Sequence, residues 1–139
     1  MDVRIVYATK TKHSQKLAEA VGERLKAKPE NISLHPAPKS CDLLIIVGGI
    51  YGGESMPELI QFIQELDASM NRRAALITSC GSGRQGQATV RKILEDKGIK
   101  VTGEFICKGS ILFVSIKHPD SKDMKEAADF AEKAASIQA

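Results

Sequence analysis

DLLIIVGGIYGGESMPELIQFIQEL, Asp42 to Leu66, carries in one piece the two signals that decide the fold. Its first third is continuously apolar and stops at Gly48 and Gly49. A strand wetted on one side alternates apolar and polar residues. A strand without alternation is buried on both faces, as in a parallel sheet covered by helices. The last third changes period: Leu59, Phe62, Ile63 and Leu66 fall on one helical face. Ser55 and Glu58 have the spacing of a capping box, and Pro57 stands near the first turn. A buried strand, a glycine-rich loop and an amphipathic helix predict one βα unit.

The same grammar repeats outward in both directions. VRIVY (3–7) reads as a strand, and SQKLAEAVGERLKA (14–27) as a helix burying Leu17, Ala18, Val21 and Leu25. ISL (32–34) reads as a short strand. AALITSC (74–80) is another strand, followed by the helix QATVRKILEDKG (87–98), stopped by Gly98. VTGEFICKG (101–109) is a fifth strand, extending as far as Val114. Asp120 to Ala135 is a last helix with Met124, Ala127, Ala128 and Ala131 inward. Strand–helix alternation predicts an α/β fold, one parallel sheet with right-handed crossovers. Five strands suggest the doubly wound order 2-1-3-4-5, helices on both faces, in a single domain over residues 1–139.

Composition narrows the function classes. At 139 residues, 42% hydrophobic and 27% charged, the chain is an ordinary globular one. No apolar run approaches the ~20 residues of a membrane span, and the acid in MDVRIV argues against a signal peptide. The cytoplasm is the expected compartment. The net charge of +3 is mild and the lysines are scattered, so nucleic-acid binding is not indicated. Cys41, Cys80 and Cys107 show no CxxC spacing, so neither a metal site nor a disulfide framework is expected, and buried free thiols are. His35 reads as loop, and His118, beside Pro119, as part of a helix start.

In doubly wound sheets ligands sit beyond the carboxyl ends of the strands. Three loops lie there. ATKTKHS (8–14) opens a helix with Thr9, Thr11 and Ser14 as hydroxyl donors. It reads either as a phosphate cradle on a helix N-terminus or as a turn capped by Ser14. GGIYGGES (48–55) sets Tyr51 among four glycines, which permit close backbone approach to a flat ligand. SCGSGRQGQ (79–87) is a second glycine-rich wall. Together they describe a slot for a planar ring with a phosphate tail. A phosphorylated receiver domain would need acids where Tyr7-Ala8-Thr9 and Gly48-Gly49 stand, and no G-x-G-x-x-G follows the first strand.

On these residues the chain resembles the flavodoxins. Ile5-Val6-Tyr7-x-Thr9-x-Thr11-x-His13-Ser14-x-x-x-Ala18 is similar to that family's first strand and T-x-T-x-N-T phosphate loop. His13 replaces the usual asparagine, Ser14 the usual threonine, and Lys12 a small residue. The likeness continues through DLLIIVGGIYGGESMPELIQFI and ALITSCGSGRQGQ, and the tail CKGSILFVSIKHPDSKDMKEAADFAEKA is similar to short flavodoxin-family chains. The resemblance implies a three-layer flavodoxin-like sandwich that binds FMN. Thr9, Thr11, His13 and Ser14, with the backbone of Lys10 and Lys12, would then hold the phosphate. Ile50, Tyr51, Gly52 and Gly53 would line one ring face, and Cys80, Gly81, Ser82 and Gly83 the pyrimidine edge.

It also implies an electron carrier between protein redox partners, with no dedicated catalytic residues, no metal, no nucleic-acid partner and no membrane span. Oligomeric state is not implied. Two departures stand out. Flavodoxins are acidic, whereas this chain is basic, with Lys10, Lys12 and Arg84 expected near the flavin; positive charge there favours the anionic reduced ring. Tryptophan is absent, leaving Tyr51 as the stacking candidate. A more distant likeness to flavodoxin-like protoporphyrinogen oxidases keeps open an oxidoreductase acting on a quinone or porphyrinogen. The altered phosphate loop keeps open a flavin-free partner-binding module.

Overall fold

The computed structural model describes residues 2–10, 12–37, 39–51, 53–79, 86–107 and 121–136. Its elements are β1 (Val3–Tyr7), α1 (His13–Leu25), β2 (Glu30–Asn31), β3 (Leu43–Gly48), β4 (Ile50–Tyr51), β5 (Glu54–Ser55), α2 (Pro57–Gln64), β6 (Arg73–Thr78), α3 (Ala88–Asp96), β7 (Lys100–Ile106) and α4 (Ser121–Ser136). Five strands form one parallel sheet in the order β2-β1-β3-β6-β7. With the small antiparallel β4–β5 pair set aside, this is the expected 2-1-3-4-5.

Every residue of β3 and β6 is buried, as the lack of alternation requires. Side chains of one parity, among them Ile5, Leu43, Ile45, Val47 and Ile77, pack beneath α1 and α4 with Leu17, Val21, Ala127 and Ala131. Those of the other parity, among them Val6, Leu44, Ile46 and Leu76, pack beneath α2 and α3 with Leu59, Ile63, Val90 and Leu94. The result is a three-layer sandwich with two cores.

Three local expectations are corrected. Ile32–Leu34 is a 3₁₀ turn, not a strand, because the Asn31 side chain accepts the Ser33 N–H at 3.0 Å and curls the chain. The edge strand is Glu30–Asn31 just before it; Pro29, without an N–H, keeps it from starting earlier. The capping box at Ser55 and Glu58 is not formed. Met56 occupies the N-cap of α2 without a side-chain bond, and Ser55 is drawn into β5. Pro57 does open the helix. Gly98 adopts φ +83, a conformation that suits the expected helix stop.

Gly22 has a packing role that periodicity does not show. A Cβ there would collide with the Ala27 carbonyl and approach the Pro29 ring to 2.8 Å. The Ala27 N–H also donates to the Gly22 carbonyl at 3.0 Å, closing α1 onto β2. Gly22→Ala is therefore expected to destabilise the fold by about 1–3 kcal/mol despite alanine's better helix propensity. The shift in urea midpoint checks it; a stabilised variant would show that this closure yields freely.

Candidate functional site

The site forms where the central strands run out. The Ala8 N–H donates to the Val47 carbonyl (3.0 Å), the Ser79 N–H to Gly48 (2.9 Å) and the Cys107 N–H to Thr78 (2.9 Å). These bonds extend the ladder past the ends of β1, β6 and β7, and so bring the loops after β1, β3 and β6 to one rim.

In the first loop the Thr9 hydroxyl accepts the Lys12 N–H at 2.7 Å. That bond holds Lys12 in the left-handed conformation (φ 69), from which α1 starts. The helix has no side-chain N-cap bond and no acid in its first turn. The positive end of its dipole thus has no anionic partner from those positions, and exposed Lys10, Lys12 and Lys16 flank it. Ser14 is not the N-cap. It lies inside the helix, fully buried, and its Oγ donates to Ser79 Oγ at 3.0 Å. The first turn of α1 is thereby tied to the end of β6. His13 begins the helix and is half-buried.

The second loop folds back as a hairpin, with Ile50 opposite Ser55 and Tyr51 opposite Glu54. Gly53 in its turn has φ +84, which glycine adopts at no steric cost. Tyr51 leans toward the first loop: its Oη accepts the Lys10 N–H at 3.4 Å, and the Lys10 ammonium sits 4.9 Å from its ring centre. A Cβ on Gly49 would lie 2.9 Å from both Ser79 Oγ and Tyr51 Oη. Lys10, Ser14, Gly49, Tyr51 and Ser79 therefore converge. Gly49 and Ser79 were not among the site residues expected from sequence. Both adjoin strand ends, and their only signal was membership of the loops quoted above.

Beneath this rim, Ser55 Oγ, Thr78 Oγ1 and Gln87 Oε1 are buried without a hydrogen-bond partner. Gln87 anchors the start of α3 through Nε2 to the Ile77 carbonyl (2.9 Å) and its own N–H to Glu104 (2.9 Å). The nearby acids are occupied: Glu54 by the Thr89 hydroxyl (2.8 Å) and Glu104 also by Arg91 (3.1 Å). Thr11, Gly52, Cys80, Gly81, Ser82, Gly83, Arg84 and His118 lie outside the described residues.

The cysteines correct one expectation and bear out another. Cys107 is buried and disulfide-bonded rather than free. The β6–β7 pairing has carried it to the end of the sheet, next to the start of the third loop. Cys41 is free and buried, its Sγ 3.3 Å from Asn71 Oδ1. Burial pushes its thiol up to about 11. Cys41 should alkylate at pH 8 at least a hundredfold more slowly than a model thiol. Because the unfolded thiol ionises near 9.0 and the folded one near 11, its contribution to stability is whole below pH 9 and lost as pH rises to 11. Denaturant midpoints of the parent and Cys41→Ala across that window check the sign. No group of histidine, cysteine or acidic side chains among the described residues could hold a metal ion.

The match to known proteins follows this geometry. Residues 4–128 match the flavodoxin-domain model. The chain belongs to the flavodoxin-domain family. It is similar to the uncharacterised protein MJ0298 of Methanocaldococcus jannaschii, 26% identical over 133 residues, covering 86% of this chain and 88% of that one. Among solved structures, a flavodoxin from the domain Archaea superposes with TM-score 0.68 at 16% identity, over 97% of this chain and 99% of that one. The Streptococcus pneumoniae TIGR4 flavodoxin does so with TM-score 0.70 at 17% identity, covering 96% and 97%. At those identities the structures establish the fold alone. Family membership makes FMN the cofactor, and the local chemistry fits it: an uncapped helix start ringed by lysines suits a phosphate dianion, and the orphaned polar atoms under the hairpin suit a polar ring edge. No helix among the described residues is long and apolar enough to cross a membrane.

Proposed function

We propose that this flavodoxin-domain protein holds FMN in the slot between the first loop and the β4–β5 hairpin and passes electrons between protein redox partners. The observation that carries the reading is the start of α1: no side-chain cap bond, no acid in the first turn, and exposed Lys10 and Lys12 beside it. Thr9, Thr11 and His13, with the amides of Lys10 and Lys12, would hold the phosphate. Ser14, expected as a direct ligand, would instead steady the loop through its bond to Ser79. Tyr51 would bound one side of the ring, with Ile50, Gly52 and Gly53. Cys80, Gly81, Ser82 and Gly83 would close the pyrimidine edge.

The flavin supplies the one- and two-electron chemistry when bound. The protein binds, orients and shields it, and its basic rim biases the ring toward the reduced, negatively charged form. A carrier needs an accessible ring edge rather than a substrate cavity, and a cavity of about 780 Å³ at the sheet edge includes no residue of the phosphate loop or the hairpin.

Titration of the purified chain with FMN and with riboflavin tests the reading. FMN should quench and bind at least a hundredfold more tightly, because riboflavin lacks the phosphate. Photoreduced, FMN-loaded protein should then reduce a protein acceptor such as cytochrome c without a small-molecule substrate. Equal affinity for the two flavins, or no flavin binding, would overturn the cofactor site. Tight FMN binding with turnover only on a quinone would overturn the carrier role.

A further inference from the structure

The cavity of about 780 Å³ begins at the N-terminal end of β1 and follows the sheet edge beside β2. It belongs to neither the phosphate loop nor the hairpin. We propose that it receives an extended acidic segment of a partner protein, which pairs with the free edge of β1 at Val3.

The first support is an unpaired edge. β2 pairs with β1 only at Val6 and Tyr7, whereas β3 pairs with β1 along its whole length. The Leu43 N–H donates to the Asp2 carbonyl and the Ala8 N–H to Val47. Peptide groups of even-numbered residues thus face β3, and by alternation those of Val3, which lines the groove, face away from β3. On the groove's opposite wall Pro29 has no N–H to offer. Main-chain bonds to an incoming strand are the natural use of such an edge.

The second support is charge. Lys26, Lys28 and Lys39 are exposed around the groove and form no ion pair with any described residue. Of its two acids, Glu30 is neutralised by Arg4 at 2.8 Å, leaving Asp2 against three lysines. The third support is Leu34, which lines the groove and is 78% exposed, the only large hydrophobic side chain so exposed among the described residues. It offers an apolar foothold in a basic rim. A second copy of this chain is a poorer occupant, since edge-to-edge pairing would set lysines against lysines.

Fluorescence anisotropy with a labelled nonapeptide of alternating Glu and Val tests the proposal on the full chain, with the Lys–Val peptide as control. The Glu peptide should bind, weaken with salt, and lose at least tenfold in affinity to a Lys26→Glu/Lys28→Glu/Lys39→Glu variant. Val3→Pro removes one N–H from the groove and none from the β1–β3 ladder, so it should weaken binding about fivefold with the charges intact. Circular dichroism melts establish that each variant is folded; should Val3→Pro unfold, the lysine variant decides alone. Equal binding of both peptides, or an undiminished Glu peptide on the lysine variant, overturns the proposal. So does a sedimenting dimer that the peptide fails to dissociate, which would make the groove a self-interface. No flavin enters the assay, so its outcome is separate from that of the cofactor site.

Discussion

A Lys10→Glu/Lys12→Glu double variant should bind FMN at least a hundredfold more weakly than the parent chain, with riboflavin affinity changed less than threefold. The phosphate of FMN carries about −2 at neutral pH. A unit charge pair near 4 Å in water is worth about 1 kcal/mol, and more at a partly desolvated surface. Each reversal changes the local charge by two units, so two reversals against a dianion reach about 3 kcal/mol even well short of contact strength, and that is about a hundredfold. The fold should survive, since both side chains are exposed and neither forms a described ion pair. Lys12 keeps its left-handed backbone whichever long side chain it carries. The FMN-specific loss should shrink between 50 and 500 mM salt, because screened charges matter less. Paired calorimetric titrations at two salt concentrations read both effects. A variant that loses FMN and riboflavin equally would place the lysines beside the ring rather than the phosphate.

That prediction rests on a loop whose chemistry was legible before its geometry. The strands were readable because Leu43–Val47 and Ala74–Ile77 are apolar without interruption, which only double-sided burial explains. Helical stripes were readable because period 3.6 survives over two or more turns. Two-residue elements carry no period, so the β4–β5 hairpin and the Glu30–Asn31 edge strand left no pattern, and ISL looked like a strand on apolar content alone. Ser14's placement was hidden for a related reason. Serine before a helix reads as either a cap or a ligand, and only the tertiary placement of α1 turns its hydroxyl inward to Ser79. Ser79 itself, one more serine at a strand end, could not be singled out from composition. Arg4 was the most opaque residue: a lone arginine in an apolar strand is placed by a partner far along the chain.

Glu30→Ala should lower stability by about 3 kcal/mol, more than Arg4→Met does. Arg4 is 95% buried by the measure of its 5% exposure, and points into the face that α2 covers. Its Nε and Nη2 donate to Glu30 at 2.8 and 3.1 Å, Nη2 also to the Ala37 carbonyl at 2.9 Å, and its guanidinium lies 5.7 Å from the Phe62 ring centre. Nη1 has no partner. Removing Glu30 strands a buried cation that cannot lose its proton, a loss of about 3–5 kcal/mol in fully enclosed pairs. The side chain of Glu30 is 33% exposed, so water reaching the gap holds the figure to the lower end. Arg4→Met instead deletes the charge, the orphaned Nη1 and the need for desolvation together, and leaves a carboxylate already near solvent. The order of the two urea midpoints therefore separates an electrostatic origin from simple loss of packing, which would make the larger truncation, at Arg4, the worse one. The double variant Arg4→Met/Glu30→Ala should recover most of the deficit of Glu30→Ala. Because β2 pairs with β1 at only two positions, and one of them is Glu30 itself, hydrogen exchange at Tyr7 and Ile32 should quicken in Glu30→Ala before the rest of the sheet responds.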